Sequence, residues 1–149
     1  MIGAEAGIPN PLLRPLSFLV GEWHTEGSHP HLPGTLHGRT SFAWSDGGAF
    51  LVMRTQIDEP GVPSAIAILG TDDAAKECYM LYFDERGVSR RYSVALRSDQ
   101  WQWWRDTPGF SQRFTAQLVD GGNRMVGHGE LNRGERWEPD LELTYTRIS

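Results

Sequence analysis

The stretch Tyr79–Phe114 constrains the fold most strongly, because large apolar and polar side chains alternate through four successive segments of it. Such alternation predicts antiparallel strands. Asp84–Gly87 separates the first two segments, and Gly87 supplies the positive φ that a tight hairpin turn requires. The Pro108–Gly109 pair precedes the fourth segment and breaks the strand pattern. Both faces carry large side chains and one also carries arginines, which is typical of a small barrel with a partly polar interior.

The alternating pattern continues on both sides of this stretch, with connections short enough for an up-and-down strand order. Further strands are predicted from Gly21 onward and at Thr35–Trp44, Phe50–Ile57, Ser64–Thr71, Arg124–Asn132 and Arg136–Ile148. Pro15–Val20 is an apolar run that fits a one- or two-turn helix covering one end. The sequence therefore predicts an all-β fold, a roughly ten-stranded antiparallel β-barrel with a short N-terminal helix. A barrel wider than eight strands leaves a cavity that side chains alone do not fill.

Length and composition predict one domain. The 149 residues suffice to bury a core without disulfide or metal support. Residues 1–14 are small, polar or proline-rich and are expected to form a flexible leader, with the barrel domain spanning residues 15–149. No apolar run approaches the roughly 20 residues of a membrane span, and the N-terminus lacks the pattern of a secretory signal. A cytoplasmic protein is the expectation.

The charge distribution limits the partners. The net charge is −5, from 14 basic and 19 acidic residues, and the acidic side chains are scattered through turns. Binding to a nucleic-acid backbone needs a concentrated basic surface, so nucleic acid is not expected, and neither is a membrane. A small molecule in the cavity is the expected partner. Edge strands or the open mouth are also compatible with a homodimer.

Six side chains are predicted to line one cavity and bind its ligand. Arginines would meet a carboxylate or phosphate, and aromatic rings would cover an apolar body. Internal pairing of the arginines with acidic residues is the alternative explanation. The six are Arg54, Gln56, Arg90, Tyr92, Trp103 and Arg113.

A second hypothesis is a cofactor-independent enzyme that transfers protons in the same cavity, as an isomerase or cyclase would. His128 and Glu130 lie two residues apart, so both point to one face of their strand. With Tyr92 they are the catalytic candidates, as acid and base. An outward-facing polar surface explains the same pair equally well, because alternation does not say which face is inward.

Four histidines crowd into a short segment, His24, His29, His31 and His37. The spacing of His29 and His31 would allow two imidazoles near one metal. Zinc, however, takes three or four ligands on rigid elements, and this loop contains prolines. No metal site is predicted, and a solvated, lid-like loop is the expectation.

The segment Leu16–Trp23, a short apolar helix leading into Gly-x-Trp, resembles the opening of the calycin superfamily, which includes lipocalins, fatty-acid-binding proteins and nitrobindins. Leu143–Arg147 is similar to the last strand of that superfamily. Three further segments resemble an uncharacterised bacterial nitrobindin-like (DUF1579-like) family: Tyr82–Val88, Trp104–Asp106 and Gln112–Phe114. The resemblance implies a calycin-like barrel in which Arg147 packs over Trp23 as a cation–π contact.

The resemblance also raises haem as a cofactor. Nitrobindins bind haem through a histidine on the final strand, but Arg136–Ile148 contains none, and Glu142 lies near the expected position. A carboxylate is a poor substitute for a neutral imidazole ligand. No cofactor is therefore predicted. A haem-binding protein remains a third hypothesis, with His128 on the preceding strand as the only candidate ligand.

Overall fold

The computed structural model describes residues 10–97 and 99–149, and these form a closed barrel of ten antiparallel strands. The strands are β1 Gly21–Ser28, β2 Leu36–Ser45, β3 Phe50–Ile57, β4 Ala65–Asp72, β5 Glu77–Asp84, β6 Ser89–Arg97, β7 Gln100–Arg105, β8 Ser111–Val119, β9 Arg124–Asn132 and β10 Trp137–Arg147. Each strand pairs with its neighbours in sequence, and β1 pairs with β10 to close the barrel. The predicted ten-stranded antiparallel barrel is confirmed.

The N-terminal element differs from the predicted helix, since Arg14–Leu19 forms a six-residue 3-10 helix. Pro15 sits at its start, where its missing N–H costs nothing. Leu16 and Leu19 point into the barrel and are buried. This 3-10 helix therefore covers one end of the barrel, while the β1–β2, β3–β4 and β5–β6 connections surround the other.

The expected leader also differs from the structure. Its residues 1–9 lie outside the described part of the chain. Asn10 donates its backbone N–H to the Gly48 carbonyl at 2.6 Å and its side-chain amide to Thr71 at 3.2 Å. Leu13 is fully buried in the core cluster. Residues 10–14 are thus packed against the barrel, because Leu13 supplies an apolar anchor that the proline-rich composition hides.

Arg147 and Trp23 join the two strands that close the barrel. Their backbones are register partners on β1 and β10, and the Arg147 guanidinium lies 4.1 Å from the centre of the Trp23 ring. Arg147 also donates to the carbonyls of Phe18 (2.6 Å) and Val20 (2.9 Å), which fixes the 3-10 helix against the strands. The contact implied by the resemblance is therefore present. The Trp23 indole N–H donates to Leu19 at 2.8 Å.

The barrel interior has two halves. The half next to the 3-10 helix is filled by a dense apolar cluster that includes Trp23, Phe42, Leu51 and Trp101, with Phe42 and Trp101 packed edge to face at 6.1 Å. The other half contains an open cavity. Among the described residues no helix is long and apolar enough to cross a membrane.

Candidate functional site

The cavity has a volume of about 280 Å³ and lies in the half of the barrel away from the 3-10 helix. Val62 and Pro63 of the β3–β4 connection and Arg86 of the β5–β6 turn border it, and these residues mark its mouth. Ligand pockets in proteins are typically concave and mainly apolar, with a few convergent polar groups. The cavity fits that description, because aromatic and aliphatic side chains form most of its wall and only a few polar side chains reach it.

One wall of the cavity consists of aromatic rings on four consecutive strands, β5 to β8. Tyr82 and Tyr92 have ring centres 6.3 Å apart, Tyr92 and Trp103 are 4.6 Å apart, and Trp103 and Phe114 are 5.0 Å apart. Each ring takes the inward position of its strand because alternation places every second side chain on the inner face. The continuous row favours a flat ligand that can pack against rings.

Arg90, Tyr92 and Gln112 form a polar group near the mouth. The Gln112 side-chain oxygen accepts hydrogen bonds from the Tyr92 hydroxyl at 3.0 Å and from Arg90 Nη1 at 3.3 Å. Burial raises the pKa of the Tyr92 hydroxyl, an effect that the nearby Arg90 partly offsets. Tyr92 therefore stays a neutral donor.

The charge of Arg90 has no acidic partner in the described part of the chain, where the ion pairs involve other arginines. Its guanidinium packs against the Phe110 ring at 5.2 Å. By contrast, Arg86 at the same mouth pairs with Asp84 at 2.7 Å. Arg90 is thus a half-buried cation that borders the cavity and is available to an anion.

His29 lies in the β1–β2 connection and binds this connection to β10 near the mouth. Its Nε2 atom lies 2.9 Å from Asp140, which borders the cavity at a β-bulge of β10. The His31 backbone N–H donates to His29 Nδ1 at 3.0 Å, so in the neutral ring Nε2 carries the hydrogen and donates it to Asp140. Both ring nitrogens are occupied, which makes His29 a structural contact.

The inner end of the cavity contains hydroxyl groups that sequence reasoning missed. Thr25 and Tyr145 border the cavity there, and Thr55 borders it two residues before β3 ends at the mouth. Thr25 and Tyr145 are direct register partners on β1 and β10, one inward position from the Trp23–Arg147 pair. The alternation of β10 marks Tyr145 and Arg147 as sharing a face, and this signal could have identified Tyr145.

The structure brings four of the six predicted ligand-binding residues together at one cavity. Arg90, Tyr92 and Trp103 border it on the inner face, and Arg113 borders it through the wall of β8. Arg54 and Gln56 are exposed on the outer face of β3, because the inward positions of that strand belong to Met53 and Thr55. The expectation that all six line one cavity is wrong for these two residues.

Arg113 borders the cavity, but its charge is already paired. It borders the cavity through the wall of β8, but its side chain is half exposed and pairs with Glu130 at 2.8 Å. The same guanidinium lies 3.9 Å from the centre of the Trp137 ring. Internal pairing, the alternative considered for the arginines, therefore describes Arg113.

The three catalytic candidates are not assembled. His128 lies on the outer face of β9, where its side chain is 60% exposed and its Nδ1 is 3.0 Å from Glu142. Glu130 borders the cavity through the wall of β9 but pairs with Arg113, whereas Tyr92 lies inside. Gly127 and Gly129 take the alternate positions of β9 and point inward, which forces His128 and Glu130 outward. His128 accordingly offers no haem ligand within the barrel.

A different set of histidines could hold a divalent cation on the outer surface. Donor atoms of His24, Glu26 and His37 lie within 4.8 Å of one another. They meet because Glu26 and His37 are cross-strand partners on β1 and β2, a placement that the sequence does not reveal. Arg39, directly opposite His24, adds a positive charge to the same face.

Comparisons with known proteins assign the chain to no family. No protein-family model matches it, and no curated protein matches it significantly. The functional conclusion depends on the geometry of the cavity.

Proposed function

We propose that the protein binds a small, flat and mainly apolar molecule with an anionic head group in the barrel cavity. The observation that carries the proposal is Arg90, a half-buried guanidinium that borders the cavity without an acidic partner among the described residues. Burying a charge is costly unless it is paired. A ligand carboxylate or phosphate would supply the missing countercharge.

The shape and lining of the cavity support the rest of the proposal. A volume of about 280 Å³ suits a molecule of one or two rings. The row from Tyr82 to Phe114 offers ring faces and edges to a planar body. Met53, Ala67 and Met80 cover other parts of the wall with apolar surface.

A calycin-like, nitrobindin-related identity belongs to the same proposal. It is supported by the closed ten-stranded barrel, by the short helical turn before β1 and by the packing of Arg147 over Trp23. We put forward no second function. Both the proton-transfer and the haem hypotheses depend on His128, and its side chain lies outside the cavity.

Native mass spectrometry of the freshly purified protein tests for a resident ligand. We expect a discrete extra mass that leaves on denaturation and carries an acidic group. The Arg90→Gln variant should lose this mass, whereas Arg54→Gln, which removes an exposed arginine on the outer face, should retain it.

Isothermal titration calorimetry with 2-naphthoate and its neutral analogue 2-naphthamide tests the anionic preference directly. Hydrogen bonds to charged groups contribute about 1.5–3 kcal/mol, so the wild type should bind the acid at least about tenfold more tightly than the amide. Arg90→Gln should remove that preference and Arg54→Gln should keep it. An equal loss in both variants, or no preference in the wild type, would contradict the assignment of Arg90.

A further inference from the structure

Tyr145 presents a hydroxyl group at the inner end of the cavity. The residue is only 3% exposed and borders the cavity from β10. Within residues 10–97 and 99–149, no group donates a hydrogen bond to this hydroxyl or accepts one from it. Burial is the sole cause that raises the pKa of the phenol, in keeping with a hydroxyl that has no partner. A hydroxyl on the cavity wall with no partner among the described residues is free to donate a hydrogen bond to a ligand atom or accept one from it.

A short chain of threonine hydroxyls adds a second donor beside Tyr145. Thr25 Oγ1 lies 2.8 Å from Thr40 Oγ1, which lies 3.3 Å from Thr55 Oγ1. Three hydroxyls carry three protons, and two hydrogen bonds use two of them. When the three bond head to tail, the remaining proton belongs to Thr25 or Thr55, and both border the cavity.

Among the described residues, no unpaired charge lies at the inner end. The charged residues that border the cavity lie on its mouth side, in the β5–β6 turn or within three residues of a strand end there: Arg86, Arg90, Arg113, Glu130 and Asp140. Arg113 and Glu130 pair with each other. Arg147 lies one inward position beyond Tyr145, but it is held by the carbonyls of Phe18 and Val20 and by the Trp23 ring. The side chains at the inner end therefore suit an uncharged group that accepts hydrogen bonds.

We propose that Tyr145 and the Thr25–Thr40–Thr55 hydroxyls form a subsite for a neutral oxygen of the ligand, a carbonyl or hydroxyl oxygen. This inference rests on the proposed function and specifies its ligand further. The ligand has two polar ends: an anion that meets Arg90 at the mouth, and a neutral oxygen at the opposite end of a flat apolar body. The molecules expected are aromatic or conjugated acids that carry a distal hydroxyl or keto group.

Calorimetry with 2-naphthoate and its 5-, 6- and 7-hydroxy derivatives tests the subsite. A net hydrogen bond contributes about 0.5–1.5 kcal/mol, so the wild type should bind at least one hydroxy isomer about fivefold more tightly than 2-naphthoate. Tyr145→Phe removes only the hydroxyl oxygen. It should abolish the preference and leave the affinity for 2-naphthoate within about twofold. Thr55→Val should reduce the preference in the same direction.

Arg90→Gln separates the two proposals. It should weaken binding of all four acids and leave the preference for the hydroxy isomer in place. If 2-naphthoate binds but no hydroxy isomer is preferred, or if the preference survives in Tyr145→Phe, the subsite is refuted and the anionic site stands. If none of the four acids binds, the proposed function fails and the subsite falls with it. Circular dichroism melting curves check that each variant is folded.

Discussion

Asp84 is the most completely satisfied carboxylate of the described barrel. Its side chain has no exposed surface, and its oxygens accept from the Tyr82 hydroxyl at 2.8 Å and from Arg86 Nη2 at 2.7 Å. The Arg86 backbone N–H adds a bond of 2.9 Å. These bonds, led by the Arg86 side chain, hold the pKa of Asp84 well below its usual range even though burial opposes the shift.

The low pKa predicts how stability depends on pH. The unfolded chain binds the proton more readily, with a carboxyl pKa of about 3.9, so the stabilisation is complete above that pH. It is lost as the pH falls toward the lower folded-state value. Asp84→Asn should cost about 1–2 kcal/mol at pH 7 and should flatten the decline in unfolding free energy between about pH 4 and pH 2.

Urea unfolding at a series of pH values measures this effect. Asp58→Asn, which neutralises an exposed carboxylate at the same end of the barrel, is the control and should follow the wild-type curve. If the unfolding free energies of Asp84→Asn and the wild type declined in parallel at acid pH, the hydrogen bonds of Asp84 would not account for the pH dependence of stability.

At the scale of the strand, β9 makes room for the aromatic wall. The Phe114 ring on β8 lies over Gly127, a diagonal neighbour on β9, and a Cβ atom at Gly127 would collide with that ring. The missing side chain lets Phe114 pack beside Trp103, with ring centres 5.0 Å apart and the ring planes tilted by 31°. A glycine inside a strand often marks such a close approach.

Gly127→Ala should therefore displace Phe114 and destabilise the barrel by about 1–3 kcal/mol. The matched control is Gly70→Ala on β4, where a new Cβ would make ordinary contact with Tyr79 at 3.4 Å. That change should be neutral or stabilising, since alanine loses less backbone entropy than glycine. Chemical denaturation gives both values, and near-ultraviolet circular dichroism reports the aromatic packing. Equal stability of the two variants would contradict the role of Gly127.

Strand positions were predictable from the sequence because alternation and turn residues are local signals. The turn predicted at Asp84–Gly87 begins at the last residue of β5, and β6 starts at Ser89. The inward face was not predictable, because alternation shows only which residues share a face. Arg54 on β3 and Arg90 on β6 both lie in strands with the same alternation of side chains, yet only Arg90 faces the cavity.

The inner end of the site was harder still to predict. Thr25 and Tyr145 become neighbours only when the first strand pairs with the last. That pairing depends on barrel closure and register, for which a single sequence carries no local signal. The 3-10 helix differs from the predicted helix for a related reason, since tertiary packing of Leu16 and Leu19 decides its conformation.

For the whole molecule, filling the cavity should affect ligand affinity and stability in different ways. Ala67 on β4 is buried and borders the cavity. Ala67→Met should fill part of the space, leave stability unchanged or raise it by about 0.5–2 kcal/mol, and weaken 2-naphthoate binding at least about tenfold. Ala43→Met, on the exposed outer face of β2, should change neither property. Full affinity in Ala67→Met would place the binding site outside the barrel.

The pairing of β1 with β10 has a consequence for synthesis. The ribosome produces about 5–20 residues per second, so β1 waits on the order of ten seconds for the strand that will cover its open edge. During that time its unpaired backbone groups could recruit another nascent chain. Glu22, His24 and Glu26 project outward from β1, and such polar side chains discourage edge-to-edge association. The barrel therefore closes only after the last strand has left the ribosome, and its first strand carries its own protection against aggregation.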